Sequence, residues 1–232
     1  MAIAFVTGTG ADGAGSSTTI AIPAFVATAG NDLIIMAQNY TTGQPTVASI
    51  ADTAGNAAKF AIAGSVEHAD GSNSMEMWVA HNILGHATNV VTVTFSGAAE
   101  FRVGIAVQYS GLALAGSFDQ SAAILLDPSS TTTHTTNTTG TTAQADELIL
   151  GFYSAWGDPR VLSATSPYTL RVNVSTGNAA AVDRIVSGTG TYSITMSSTV
   201  GDRYVSIVRT FKMAAAAGIK IPVVYHHRQR NF

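Results

Sequence analysis

The chain has 232 residues, of which 46% are hydrophobic, 11% are charged and none is cysteine. That length suits one large all-β domain, and the charge lies far below the roughly 25% of an average soluble domain, so Ser, Thr, Gly and Asn supply most of the polar surface. Disulfides, thiolate metal sites and a cysteine nucleophile are excluded, and a net charge of -3 gives no general footprint for nucleic acid.

The charge is unevenly placed. Before Arg102 the only cation is Lys59, against seven acids, whereas from Arg102 onward ten cations face seven acids. Lys220, Arg228 and Arg230 stand near the C-terminal end with no acid beside them. The opening MAIAFVTGTG lacks the basic and long apolar regions of a signal peptide, and no apolar run approaches the ~18 residues of a membrane span. Synthesis in the cytoplasm without export is expected, with no membrane partner.

In chain order, AIAFVT (2–7) reads as a strand, followed by a glycine-rich loop and a second strand, TTIAIPAFV. Gly8, Gly10 and Gly13 match the GxGxxG spacing of a dinucleotide site, but β-branched residues and a proline follow where that site needs a helix, so a plain turn is the better reading. Residues 33–39 form the next strand, and 52–56 form a turn rich in Asp, Gly and Asn. SMEMWVAHNI (74–83) alternates as a strand. VTVTFSGAAEFRVGIAVQYSG (91–111) reads as two strands joined by a short turn, with side chains alternating at period two.

The pattern then recurs. TAGNDLIIMAQNY, from residue 28, is matched by TAQADELILGFYSAW, from residue 142, and 91–111 by YSITMSSTVGDRYVSIVRTF (192–211). Two similar halves, about 28–111 and 142–212, are expected to close as facing sheets on a shared core, because a lone sheet leaves one apolar face exposed. A single jelly-roll-like β-sandwich over 1–212 follows. The Ser/Thr tract between the halves reads either as an exposed linker or as an edge strand. Residues 213–232, with Pro222 and alternating Ile, Val and Tyr, read as an extended basic arm.

Catalytic signals are weak. No strand carries the paired carboxylates of a glycosidase; Asp146 and Glu147 are adjacent and point to opposite faces. His68, His81, His86, His134, His226 and His227 show no zinc-type spacing, and Asp70, Ser72 and Ser74 suit a hairpin turn better than a calcium loop. A Ser-His-Asp set is open from spacing alone, although no G-x-S-x-G turn is present and abundant serine makes chance candidates plentiful. No enzymatic role, cofactor or metal is expected. Trp78, Tyr153 and Tyr168 read as packing; Trp156, beside Asp158 and Arg160, reads together with Tyr40 as the best sugar-stacking set. Asn39, Asn137 and Asn173 match a glycosylation sequon that has meaning only in a secretory protein.

The runs AGNDLIIMAQN, ADTAGNAAKF, VTVTFSGAAEF, GIAVQYSGL, FDQSA, TTAQADELILG and DRIVSGTGTYSITM resemble a β-sandwich module that recurs in tailed-phage virion proteins and bacterial surface proteins. The resemblance covers about 20–212 and implies no catalytic residue. It implies a structural protein of the virion, a head-decoration or fibre-type component, that meets capsid or tail proteins and copies of itself. The arm supplies the expected contacts: Lys220, Tyr225, His226, His227, Arg228, Arg230 and Phe232. The alternative is a module binding glycan or a host receptor through Trp156, Tyr40, Asp158 and Arg160.

Overall fold

The computed structural model describes residues 2–69, 71–155, 161–174 and 179–215, with the side chains of 125–130 and 202 left aside. Among these the protein is all-β. Its first half contributes β1 (Ala4–Ala27), β2 (Asp32–Tyr40), β3 (Val47–Asp52), β4 (Ala61–Ile62), β5 (Glu67–Ala69), β6 (Asn73–Ala80) and β7 (His86–Ser110). The second contributes β8 (Phe118–Thr135), β9 (Asp146–Ala155), β10 (Leu162–Ala164), β11 (Thr169–Asn173), β12 (Ala179–Ser187) and β13 (Thr195–Lys212).

Each half builds its own antiparallel sheet, and the two sheets share one plan. The first runs β1-β7-β2-β6-β4, with β3 also on β7; the second runs β13-β9-β12-β11, with β8 and β10 both on β13. Strand by strand, β8 thus takes the place of β1, β9 of β2, β10 of β3, β11 of β4, β12 of β6 and β13 of β7, while β5 has no counterpart among the described residues.

The halves meet face to face. Ile34, Met36, Met77, Val103, Ile105 and Val107 of the first sheet pack into one cluster with Leu148, Leu150, Phe152, Ala181, Val205 and Ile207 of the second. A second core lies on the far side of the first sheet, where Leu33 and Ile35 of β2 pack on Ile50 of β3, Val91 and Val93 of β7, and Ile22 of β1. A third repeats this behind the second sheet with Ile149, Tyr153, Val182, Met196 and Tyr204. The central strands are therefore buried on both faces. This is why LIIMA and LILGF run apolar without alternation, as strands covered on both sides do.

Two expectations are corrected here. Residues 91–111 are not two strands with a turn: β7 is continuous, with its first part pairing β3 and its second part β2. The small residues at 96–99 mark a bend that carries the strand from one layer to the next. β1 follows it, and the glycine-rich stretch expected as a loop is strand throughout, with register shifts between Ala14 and Thr19 that locate the same bend. Arg102 holds this corner by donating to the carbonyls of Thr19 (3.1 Å), Gly15 and Ala99. Glycine serves a packing purpose in β1. A Cβ on Gly8 would stand 2.7 Å from Val172 Cγ2, so the bare backbone lets β11 lie against β1.

The Ser/Thr tract resolves into edge strand β8 and a segment with a different rule. Thr136, Thr139 and Thr142 each donate their N–H to the carbonyl of Ile194, Tyr192 and Gly190, respectively. Each also accepts that same residue's N–H on its Oγ1, at 3.0–3.1 Å. The period is three, the repeat of an extended polyproline-type ribbon rather than the two of a strand. All three threonines are buried.

Candidate functional site

Of the residues expected to carry function, Lys220, Tyr225, His226, His227, Arg228, Arg230 and Phe232, as well as Trp156, Asp158 and Arg160, lie outside the described residues. Tyr40 lies within them, half-buried at the end of β2 opposite Asn73 and Phe101. Trp78 and Tyr153 are packing residues: Trp78 donates its Nε1 to Glu76 Oε2 at 2.9 Å, and Tyr153 is buried against His134 and Tyr204. Asn39 is wholly buried and donates its amide to Pro45 O and Ser74 Oγ, both at 2.6 Å, which removes it as a modification site. Among the described residues no three His, Asp or Glu side chains are grouped to hold a metal.

Among the described residues the seam between the halves is crossed by polar contacts, one of them the bond that Ser154 Oγ donates to Gln38 Oε1 at 3.3 Å, and by two charged groupings. Tyr109 donates to Asp183 Oδ2 at 2.8 Å, and Arg171 Nε donates to Asp183 Oδ1 at 2.7 Å while its guanidinium lies 4.5 Å over the Phe5 ring. Burial, together with the Asp183 charge, holds the Tyr109 hydroxyl well above the usual tyrosine range. In the other grouping Arg209 of β13, 0% exposed, donates to the carbonyl of Ser65 and stands 3.7 Å from Glu67. Burial lowers Arg209 to about 10, although Glu67 and Glu76 oppose the shift.

Two of the surface hollows among the described residues bring aromatic and basic side chains together. One, of about 360 Å³, is lined by Thr165, Pro167, Tyr168, Arg184 and Tyr192. Tyr168 donates to Ser193 O and Tyr192 to Gly188 O, so both rings are fixed at their hydroxyl ends. The other, of about 300 Å³, lies where the chain passes from β7 to β8 and is lined by Lys59, Ile62, His81, Leu114, Gly116 and Ser117. Here Asp32 of β2, His81 just after β6 and Ser117 just before β8 form a line: His81 Nδ1 to Asp32 Oδ1 is 2.9 Å, and Ser117 Oγ to His81 Nε2 is 3.0 Å. The second carboxylate oxygen of Asp32 accepts the N–H of Leu112 at 3.3 Å. No short-range spacing announces this trio. The acid at the start of the repeated NDLII run was the one visible part of it.

Compared with protein-family models, with curated proteins and with solved structures, the chain matches none. The fold and these sites therefore stand on their own geometry, as those of an all-β protein of sandwich type.

Proposed function

We propose that the chain is a structural protein of a tailed-phage particle, of head-decoration or fibre type, held to its neighbours by the basic segment 213–232. The observation that carries this reading is the two-sided burial of both central sheets. With the inner faces spent on each other and the outer faces covered by the folded-over layers, neither sheet is free to bind a partner across its face. Contact with other proteins falls to edges, connections and the segment beyond β13. A surface low in charge, with Val26, Leu114 and Val161 exposed, suits packing against neighbours.

The residues just after β13 are tied to the sandwich. Met213 N–H donates to Asp146 O and Ala214 N–H to Gly111 O, so these two residues sit beside the start of β9 and the end of β7. A chain cut after Ala215 should keep the far-UV circular dichroism and melting temperature of the full protein, yet fail to cosediment with particles. Cosedimentation of the folded, shortened chain would reject the docking role. Glycan binding is the second reading, favoured by the hollow between Tyr168 and Tyr192; retention on a host polysaccharide that survives the cut would support it.

A further inference from the structure

We propose that Asp32, His81 and Ser117 form a hydrolytic triad acting on a small acyl ester, an activity beyond the structural role. The distances of 2.9 Å and 3.0 Å are those of a nucleophile joined to its base and of a base joined to the group that orients it. The orientation is fixed by the fold. Asp32 is 1% exposed and its Oδ2 is occupied by Leu112 N–H, so Oδ1 is directed at the imidazole. With Nδ1 donating to that carboxylate, the Nε2 lone pair is left to accept the Ser117 proton.

The two halves supply an internal comparison. β9 begins with Asp146 where β2 begins with Asp32, and by register Asp146 faces Ser187, whereas in the first half His81 follows the Leu33–Ala80 pair beside Asp32. The repeat therefore does not require a histidine there; the first half carries one, with a serine at its far nitrogen and a hollow in front of both. The hollow sets the substrate class. Ile62, Leu114 and Phe118 make its wall apolar, and Lys59 is the cation in its lining. Ser117 is only 2% exposed, whereas the His81 side chain is 19% exposed and Leu114 is 63% exposed. Only a narrow group such as the carbonyl end of a short acyl ester can reach the hydroxyl past Leu114.

In the first step Ser117 Oγ attacks the ester carbonyl carbon, its proton passes to His81 Nε2, and the ester C–O bond breaks. The leaving alkoxide takes the proton from His81 and departs as the alcohol. Water then adds to the acyl-serine, with its proton passing through His81 back to Ser117 Oγ, and the carboxylic acid is released. Ser117 and His81 are the catalytic residues; Asp32 is a positioning residue.

The test is to treat the full-length protein with a fluorophosphonate probe, map the modified peptide by mass spectrometry, and follow p-nitrophenyl acetate and p-nitrophenyl octanoate hydrolysis in parallel. We expect one adduct on Ser117, absent in His81→Ala, and acetate turnover that falls about a hundredfold or more in Ser117→Ala, the range of a positioned base. The octanoate should be the poorer substrate. A Ser117→Cys variant, in which the thiol keeps the same neighbours, should be alkylated by iodoacetamide well below neutral pH, and His81→Ala should remove that reactivity. An unmodified Ser117 in the folded wild-type protein, or a label that His81→Ala leaves in place, would overturn the triad and leave the trio a purely structural tie. Because an unmodified Ser117 in the folded wild-type chain overturns the triad by itself, that outcome does not depend on any variant folding, nor on whether the protein docks on a particle.

Discussion

The two halves share a strand order and differ in what fills them. Behind the first sheet the core is mostly aliphatic, with Ile20, Ile22, Ile35, Ile50, Val91 and Val93 packed beside the rings of Phe25 and Phe95. Behind the second it is built on rings: His134 lies 4.4 Å from Tyr204 and 4.9 Å from Tyr153, with Ser198 Oγ bonded to His134 Nε2 at 2.8 Å. The contrast extends to the first buried acid of each central strand. Asp32 has a histidine partner, whereas Glu147 is buried with Asp119 beside it, and burial raises its carboxyl above the ordinary range. The inner face, where the halves must fit each other, admits little freedom, since both sides contribute to one close-packed cluster. Each outer core answers only to its own half and can be filled by either chemistry.

If the inner face is what unites the molecule, damage there should be felt in both halves. Phe152→Ala is expected to cost about 3–5 kcal/mol, as large aromatic truncations do, and to leave a single unfolding transition. Urea melts followed by Trp78 fluorescence in a Trp156→Phe background report the first half, where no mutation lies. Unchanged stability at Trp78 would break the picture of one shared core.

The aromatic core should show a smaller and more local effect. Tyr204 both accepts the N–H of Thr135 at 3.0 Å and donates to its carbonyl at 3.1 Å, so Tyr204→Phe leaves two backbone groups without their partner. A loss of about 1–3 kcal/mol is expected by the same denaturation. No first-half aliphatic residue offers a comparable change at constant shape.

The smallest effect concerns pH. A carboxyl raised in the folded state holds its proton more tightly there than in the unfolded chain. Its stabilisation is complete below the unfolded value and is lost as pH rises through the folded one. Glu147, raised mainly by burial and then by Asp119, and Glu76, raised by burial against the bonds from Val47 and Trp78, both act in this sense. The melting temperature should rise as the pH falls from 7 toward 5, and Glu147→Gln should flatten that rise. An unaltered slope in Glu147→Gln would place the dependence elsewhere.

Much of the sheet plan could be read from the chain. The paired runs NDLII and DELIL are central strands in both halves, and the period-two pattern of 103–109 sits on a true strand. What escaped was the way strands cross layers. SGAAE has the composition of a turn, and small residues serve equally well where a strand bends, so composition cannot separate the two. The glycine run of β1 misled for a related reason: glycine marks flexibility in a loop but close approach in a sheet, and the deciding partner, Val172, is distant in sequence. The trio had no local signature at all, since His81 is 49 residues from Asp32 and 36 from Ser117. Only the pairing of β2 with both β6 and β7 brings them together.

The threonine segment before β9 carries a different kind of consequence. Three residues on one side, from Thr136 to Thr139 to Thr142, advance against two on the other, from Ile194 to Tyr192 to Gly190. The two edges mesh like gears of unequal pitch, so the connection can change length only in matched steps. Adding a Thr-Xaa-Thr triplet to one side calls for a dipeptide on the other. For a gene copied with occasional slippage, a lone insertion of nine nucleotides here would strip a tooth, while nine paired with six would simply lengthen the rack.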